Sequence, residues 1–366
     1  MRIIIFGYGE IGKKLVQEIK HYSEMISIVA VMDNNPNISS QDGMRITSPE
    51  SIKEYDFDEI WITTVYYEEI MNQLDDEGID RAKMHFVEPT IPIIEERIRK
   101  SIAGGQTNAL FPAQIDEELL SYLSTHKLKM YCYPFCDEYL GKNPQIHYDK
   151  EADLYYGIFE GKKMYLSRKY HDEQKARAYF NAVTMEQDIR SPHCYWNEDN
   201  LINARGCVVD VGAAEGIFGL KIIENIDHLY MIEADSDWAE ALRYTYRDYA
   251  NKVTIIEKYA SDCDEDKCIR IDSFLKNEPI DVIKMDIEGM EMKALVGAER
   301  IIDKDCPVIA VCVYHHRNDN NVISKWLMEK GYCTRNSHGY VVCMGDWELE
   351  RDEAGFRKAL LFAHKA

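Results

Sequence analysis

Val208-Val209-Asp210-Val211-Gly212-Ala213-Ala214-Glu215-Gly216 carries an apolar strand into a glycine-bearing turn, and Glu233 follows seventeen residues later, after the apolar run Leu229-Tyr230-Met231-Ile232. Gly212 and Gly216 let the backbone approach a ligand with no Cβ in the way. A helix opening at about Gly216 offers free N–H groups and a positive dipole end. A carboxylate at the tip of the next strand can accept both hydroxyls of a ribose. The stretch therefore predicts an adenosine-type cofactor at the carboxyl edge of a parallel sheet.

The surrounding sequence extends that pattern. Apolar runs at 207–212, 229–233, 253–259, 281–287 and 308–314 read as strands separated by helices, and a final pair near 332–336 and 339–344 reads as a hairpin around Ser337-His338-Gly339. The fourth run, Asp281-Val282-Ile283-Lys284-Met285-Asp286-Ile287-Glu288-Gly289-Met290-Glu291, puts Lys284 and Asp286 on one face, because side chains alternate along a strand. Ligands of open α/β sheets bind outside the carboxyl ends of the strands, so Asp286 and Glu288 fall where a substrate would meet the cofactor. Glu291 starts the next helix.

A second, smaller pattern opens the chain. Arg2-Ile3-Ile4-Ile5-Phe6 runs into Gly7-Tyr8-Gly9-Glu10-Ile11-Gly12, and Ile28-Val29-Ala30-Val31-Met32 ends on Asp33, twenty-one residues past Gly12. That is a dinucleotide-binding fingerprint with its ribose acid, which makes Gly7, Gly9, Gly12 and Asp33 a candidate nucleotide site. Ile11, Leu15, Val16 and Ile19 share one face of the intervening helix. A turn is expected at Asn34-Asn35-Pro36-Asn37, and further strands near 44–46, 59–64 and 84–87 complete a doubly wound unit. It closes at Gly104-Gly105. The segment from 106 to about 200 lacks alternation, contains helical pieces at 116–124 and 172–185, and reads as a linker and lid.

Composition narrows the function classes. Forty-three basic against sixty-four acidic side chains give a net charge of −21, a field that repels phosphate backbones and anionic lipid. Nucleic acid and membrane are thus not expected as partners. The ten cysteines show no paired zinc spacing and read as free thiols of a reducing compartment. No signal region or membrane-length apolar run is present, so a cytoplasmic location is expected. Homo-oligomerisation stays open.

Asp210-x-Gly212-Ala213-x-x-Gly216, Glu233-Ala234-Asp235 and Lys284-x-Asp286-x-Glu288-Gly289-x-Glu291 with Ala294-Leu295-x-Gly297-Ala298 resemble the FkbM family of methyltransferases over roughly residues 185–345. Ser191-Pro192-His193, and Val313-Tyr314-His315-His316 with Asp319, look like a sugar-modifying branch. The resemblance implies an α/β class I methyltransferase fold with a mostly parallel seven-stranded sheet. It also implies methyl transfer from S-adenosylmethionine, usually to a hydroxyl oxygen. The N-terminal unit resembles the small Rossmann-like domains that precede sugar acyltransferases. The expected division is 1–103 for that unit, 104–200 for a helical linker and lid, and 201–366 for the methyltransferase domain. Two departures leave the substrate class open: Val313 or Tyr314 stands where many members carry an acid, and Glu215 stands where a small or amide residue is common.

On this reading Gly212, Ala213, Glu215 and Gly216 shape the methionine pocket, and Asp210 fixes the loop or meets the cofactor ammonium. Glu233 with Ala234 holds the ribose, and Ser261 and Asp262 flank adenine. Methyl transfer asks the protein mainly for placement and proton removal. Asp286 is the candidate for orienting the acceptor hydroxyl and His315 for the base, with Lys284 and Glu288 beside them. His193 and its aromatic neighbours are candidates for a lid. Each has a plainer reading: a paired strand lysine for Lys284, helix-start charge for Glu288 and Glu291, a packed histidine for His315. Asp286, Glu288, Glu291 and His315 could assemble a divalent-cation site, but no ligand spacing demands one and no metal is expected. The expected acceptor is a sugar hydroxyl in a glycan or nucleotide-sugar precursor of polysaccharide biosynthesis. The alternatives are a nicotinamide-dependent oxidoreductase built on the first unit, or a non-catalytic nucleotide-sugar binder.

Overall fold

The computed structural model describes residues 1–35, 40–41, 44–64, 66–86, 91–105, 111–112, 115–197, 201, 203–343 and 355–365. They form two units, residues 1–129 with 355, and residues 130–343 with 356–365.

The first unit contains β1 (Arg2–Phe6), α1 (Glu10–Tyr22), β2 (Ser27–Met32), β3 (Ser40–Gln41), β4 (Met44–Thr47), β5 (Glu59–Ile62), α2 (Tyr67–Asp76), β6 (Met84–Phe86), α3 (Ile91–Ala103) and α4 (Glu117–Thr125). Its sheet order is β3-β4-β2-β1-β5-β6, parallel except for β3. Helix α1 buries Gly12, Leu15, Val16 and Ile19. Ile11, read from sequence as part of that face, is exposed. The turn expected at 34–37 lies partly outside the described residues. Asp116 caps α4 by accepting from the Leu119 N–H at 2.7 Å, which explains where that helix starts.

The second unit begins with a finding that alternation did not signal. Residues 146–165, inside the segment expected to be helical, form an antiparallel meander of β7 (Ile146–Asp149), β8 (Leu154–Phe159) and β9 (Lys162–Tyr165). Its tyrosine-rich strands hide the period of two, because tyrosine suits either face of a half-buried sheet. Helix α5 (Glu173–Glu186) follows, capped by Asp172.

From there the order is β10 (Cys207–Val211), α6 (Ile217–Ile222), β11 (His228–Ile232), α7 (Ser236–Thr245), β12 (Val253–Ile256), β13 (Tyr259–Ala260), β14 (Cys268–Ile269), α8 (Ile271–Phe274), β15 (Val282–Met285), α9 (Glu291–Gly297), α10 (Glu299–Asp305), β16 (Val308–Cys312), α11 (Asp319–Glu329), β17 (Tyr332–Asn336), β18 (Val341–Val342), β19 (Phe356–Arg357) and β20 (Leu360–Lys365). The seven-stranded sheet runs β12-β11-β10-β15-β16-β20-β17. It is parallel apart from β20, which is antiparallel to both neighbours. This is the class I methyltransferase sheet, and the order change beside β10 opens a crevice at the carboxyl ends of β10 and β15.

The expected terminal hairpin is corrected. β17 pairs with β20 rather than with its sequence neighbour, and Val341–Val342 pairs with Phe356–Arg357. The reason is burial: Leu360, Leu361, Phe362 and Ala363 are all within 2% of full burial, so this run fills the slot between β16 and β17. No helix among the described residues is long and apolar enough to cross a membrane.

Candidate active site

The loop after β10 is built by close approach. Gly212 has φ +74°, and a Cβ on it would lie 1.8 Å from the Asp286 carbonyl oxygen. Its N–H donates to the Ile232 carbonyl at 2.8 Å, which ties the loop to β11. Ala214 takes φ +44°, a region that side chains disfavour. Glu233 holds it there: one carboxylate oxygen accepts from the Ala214 N–H at 2.9 Å and the other from the Asp235 N–H at 2.8 Å. The sequence acid therefore braces the loop.

Beneath the loop, Asp210 and Lys284 sit on adjacent strands as a buried ion pair, with Nζ 3.0 Å from Oδ1. The same ammonium donates to the Gly212 carbonyl at 2.7 Å. Burial alone would lower the Lys284 pKa, but Asp210 and Asp286 raise it. Among the described residues, Asp210 meets the loop only through Lys284, whose ammonium it pairs with. Lys284 is committed to the same frame.

A cavity of about 250 Å³ opens over this frame. Gly212, Ala213, Glu215, Lys284, Asp286 and Glu288 line it, as does Ala214. Asp286 projects from the end of β15. Its Oδ2 accepts from the Tyr195 hydroxyl at 2.9 Å and lies 3.5 Å from His193 Nε2, while its Oδ1 lies 3.6 Å from His315 Nε2. Burial would raise its pKa, yet His193, Lys284 and His315 hold the carboxyl well below the ordinary range. His193 is fully buried behind Asp286 rather than on a lid, with Nδ1 3.1 Å from Glu186. Burial opposes its charge, but Glu186 and Asp286 lift its pKa well above the usual value. Tyr195 stays a phenol, since burial and Asp286 both raise its pKa.

His315 also stands behind Asp286 and is not part of the cavity wall. Burial opposes protonation, but Glu291, Asp286 and Glu288 raise its pKa. Off the cavity wall, it is not placed to take a proton from an acceptor bound there. The remaining sequence candidates lie elsewhere. Gly216 (φ +81°) packs against α7, where a Cβ would meet Leu242 and Tyr246 at 2.8 Å, and the helix after it has only six residues. Ala234, Ser261 and Asp262 are not among the cavity-lining residues; Asp262 is exposed, and the Ser261 backbone packs on Gly297.

Sequence reading missed the wall supplied by α5 and by the end of β16. Tyr179, Val183, Glu186 and Gln187 line the cavity, as does Tyr314. Spacings of four and three put Tyr179, Val183 and Glu186 on one helix face, a signal available in sequence. The Tyr179 hydroxyl donates to Glu215 at 2.6 Å. Tyr179, Tyr170 and Trp238 form a ring cluster with centroids 4.3 to 5.9 Å apart.

Burial pushes Glu215 up from 4.5 to about 7, with the Tyr179 hydrogen bond opposing. The folded state therefore favours the neutral acid. Its contribution to stability is full below pH 4.5 and lost as pH rises through about 7. Between pH 5 and 8 the wild type should lose on the order of 3 kcal/mol relative to Glu215→Gln. Urea unfolding of both proteins across that range measures this, and parallel profiles would refute it.

In the first unit, Gly7 (φ +99°) and Asp33 border a cavity of about 360 Å³ with Asn34, Thr64, Tyr66 and Glu69. The Asp33 carboxylate accepts from the Tyr8 N–H at 2.7 Å and the Asn35 N–H at 2.8 Å. Gly9 and Gly12 do not border it. Gly12 is a packing glycine, since a Cβ would lie 2.0 Å from the Gly7 carbonyl oxygen.

Residues 191–342 match the methyltransferase FkbM domain family, and residues 1–85 match the family described as C2185-like, N-terminal. Among solved structures, the chain is similar to an FkbM methyltransferase from Methylobacillus flagellatus, with 18% identity over 99% of this chain and 90% of that one and a TM-score of 0.40. An rRNA methylase from Streptococcus thermophilus is 14% identical over 49% of this chain and 98% of its own, with a TM-score of 0.33. A putative methyltransferase from Streptococcus mutans in complex with SAH is 10% identical over 47% and 96%, with a TM-score of 0.32. No curated protein matches.

Proposed function

We propose that this methyltransferase, whose residues 191–342 match the FkbM domain family, transfers a methyl group from S-adenosylmethionine to a hydroxyl of a sugar in a glycan or nucleotide-sugar precursor. The observation that carries the cofactor is the charge of the cavity. Glu186, Asp286 and Glu288 line it, against Lys284, which is already paired with Asp210. Such a wall favours a ligand bearing sulfonium and ammonium cations. Loop residues 212–215 would hold the methionine part, and Glu233 braces them. When bound, the cofactor supplies an electrophilic methyl group, so the protein has little covalent chemistry to perform.

Asp286 is the group suited to the acceptor. It is ionised, lines the cavity, and has Oδ2 fixed by Tyr195. A hydroxyl donating to it is aligned for attack. An oxygen that has gained a methyl group while keeping its proton is a strong acid, so even a carboxylate of low basicity takes that proton. His193 and His315 hold the Asp286 charge in place. The rings of Tyr179, Tyr195 and Tyr314 in the wall suit the faces of a sugar. The first unit, with Gly7 and Asp33 on its cavity, is suited to a nucleotide-type ligand.

Isothermal titration with S-adenosylmethionine tests the assignment. One site per chain is expected, and Glu233→Ala should weaken it about 10- to 100-fold by releasing the Ala214 and Asp235 N–H groups. Unchanged affinity in that variant would remove the loop from the cofactor site.

A further inference from the structure

We propose that Asp286, Glu288 and His315 form a binding site for a divalent cation of the magnesium or manganese type, set in the wall of the methyltransferase cavity. The clearest sign is His315. Its side chain is 8% exposed, and neither ring nitrogen has a hydrogen-bond partner. Nε2 faces two carboxylate oxygens, Asp286 Oδ1 and Glu288 Oε2, each 3.6 Å away. That is too long for a hydrogen bond. A cation bound about 2.1 Å from each of two ligands separates them by roughly 3.0–3.5 Å, close to the spacing seen.

The surroundings fit the same use. Glu291, 1% exposed, lies 2.9 Å from the other ring nitrogen, Nδ1. The Glu291 carboxylate is itself held by the Ile287 N–H at 2.9 Å. A carboxylate on one imidazole nitrogen fixes the ring and leaves the opposite nitrogen as the ligand, the usual outer arrangement of metal-binding histidines. Asp286 divides its oxygens in the same way: Tyr195 occupies Oδ2, and Oδ1 faces His315. Asp286, Glu291 and His315 offer ligand atoms that all lie within 4.8 Å of one another, and Glu288 joins that group through His315 Nε2 at 3.6 Å. Glu288 reaches the group from a left-handed turn, with φ +55° there and +92° at Gly289. Two carboxylates and one imidazole suit a hard cation that keeps further positions for oxygen ligands.

Asp286 and Glu288 both line the cavity, so those further positions open onto it. There the cation would take two neighbouring hydroxyl oxygens of an acceptor, a role that rests on the proposed function. It would explain how a weakly basic site lowers the acidity barrier of a sugar hydroxyl, since cation-bound oxygens lose protons more readily.

Binding is tested on the metal-stripped full chain, titrated with manganese while electron paramagnetic resonance reports the free ion. One site per chain is expected, and Glu288→Gln and His315→Ala should each weaken it at least tenfold. Glu288 is exposed, so its substitution leaves the fold intact, and calorimetric titration with S-adenosylmethionine checks the cavity in every sample. Manganese binding as in wild type by Glu288→Gln, or no binding at low-millimolar ion, overturns the site. Manganese binding without S-adenosylmethionine binding supports the site and counts against the cofactor reading alone.

Discussion

Asp286→Asn is expected to lower methyl transfer about 10²- to 10⁴-fold, the range for removing a positioned proton acceptor. The amide keeps the shape and can still accept through its oxygen, so the backbone of β15 and the Gly212 approach are undisturbed. What disappears is the negative charge. In the wild type that charge is stabilised by Lys284, His193 and His315, and it is the group able to take the acceptor's proton. The amide also presents an N–H face to one of its neighbours, which misaligns the acceptor. Cofactor affinity should change far less, because the 212–215 loop is braced by Glu233 and Lys284 rather than by the Asp286 side chain. Single-turnover assays with labelled methyl donor, run beside calorimetric titration, separate the two effects. Turnover within about threefold of wild type would remove Asp286 from the mechanism.

Gly212→Ala should have the largest effect on the cofactor site and on stability. The new methyl group would lie 1.8 Å from the Asp286 carbonyl oxygen and 2.8 Å from Ile287 Cγ2, at a backbone φ of +74°. Neither obstacle is a flexible side-chain tip. The carbonyl belongs to the end of β15, so the loop and the strand must separate, and the left-handed conformation adds strain. A loss of roughly 3 kcal/mol or more follows, about 6–12 °C in thermal midpoint for a domain of this size. S-adenosylmethionine binding should fall with it. Gly9→Ala is the control in the other glycine motif: nothing lies within 4 Å of its Cβ position, and φ there is −71°. A midpoint for Gly212→Ala equal to that control would refute the close approach.

The contrast between these two glycines shows what sequence could carry. Both motifs read alike in sequence, yet Gly12 and Gly216 serve packing, Gly212 serves strand approach, and Gly9 meets nothing. Glycine in a pattern states that a side chain is unwelcome; it does not state what would collide with it. The acids behave the same way. Glu233 was legible as the strand-end carboxylate, but its backbone partners, Ala214 and Asp235, depend on a loop conformation that alternation does not encode. The terminal pairing of β17 was missed because nearest-neighbour hairpins ignore how strongly Leu360–Ala363 seeks the sheet interior.

Period-two apolar runs, the spacing from Gly216 to Glu233 and the alternation around Lys284 and Asp286 are local properties, and they were enough to determine a parallel sheet with acids along one edge. Local periodicity fixes which way a side chain points from its own strand. Only the tertiary structure decided what meets there, because His193, Tyr195 and His315 come to Asp286 from segments up to 93 residues away in sequence. Burial then sets the chemistry. Removing water from Glu215 and from the Asp286 cluster makes pairwise charge strong enough to choose protonation states, and no order of letters along the chain specifies that exclusion of water.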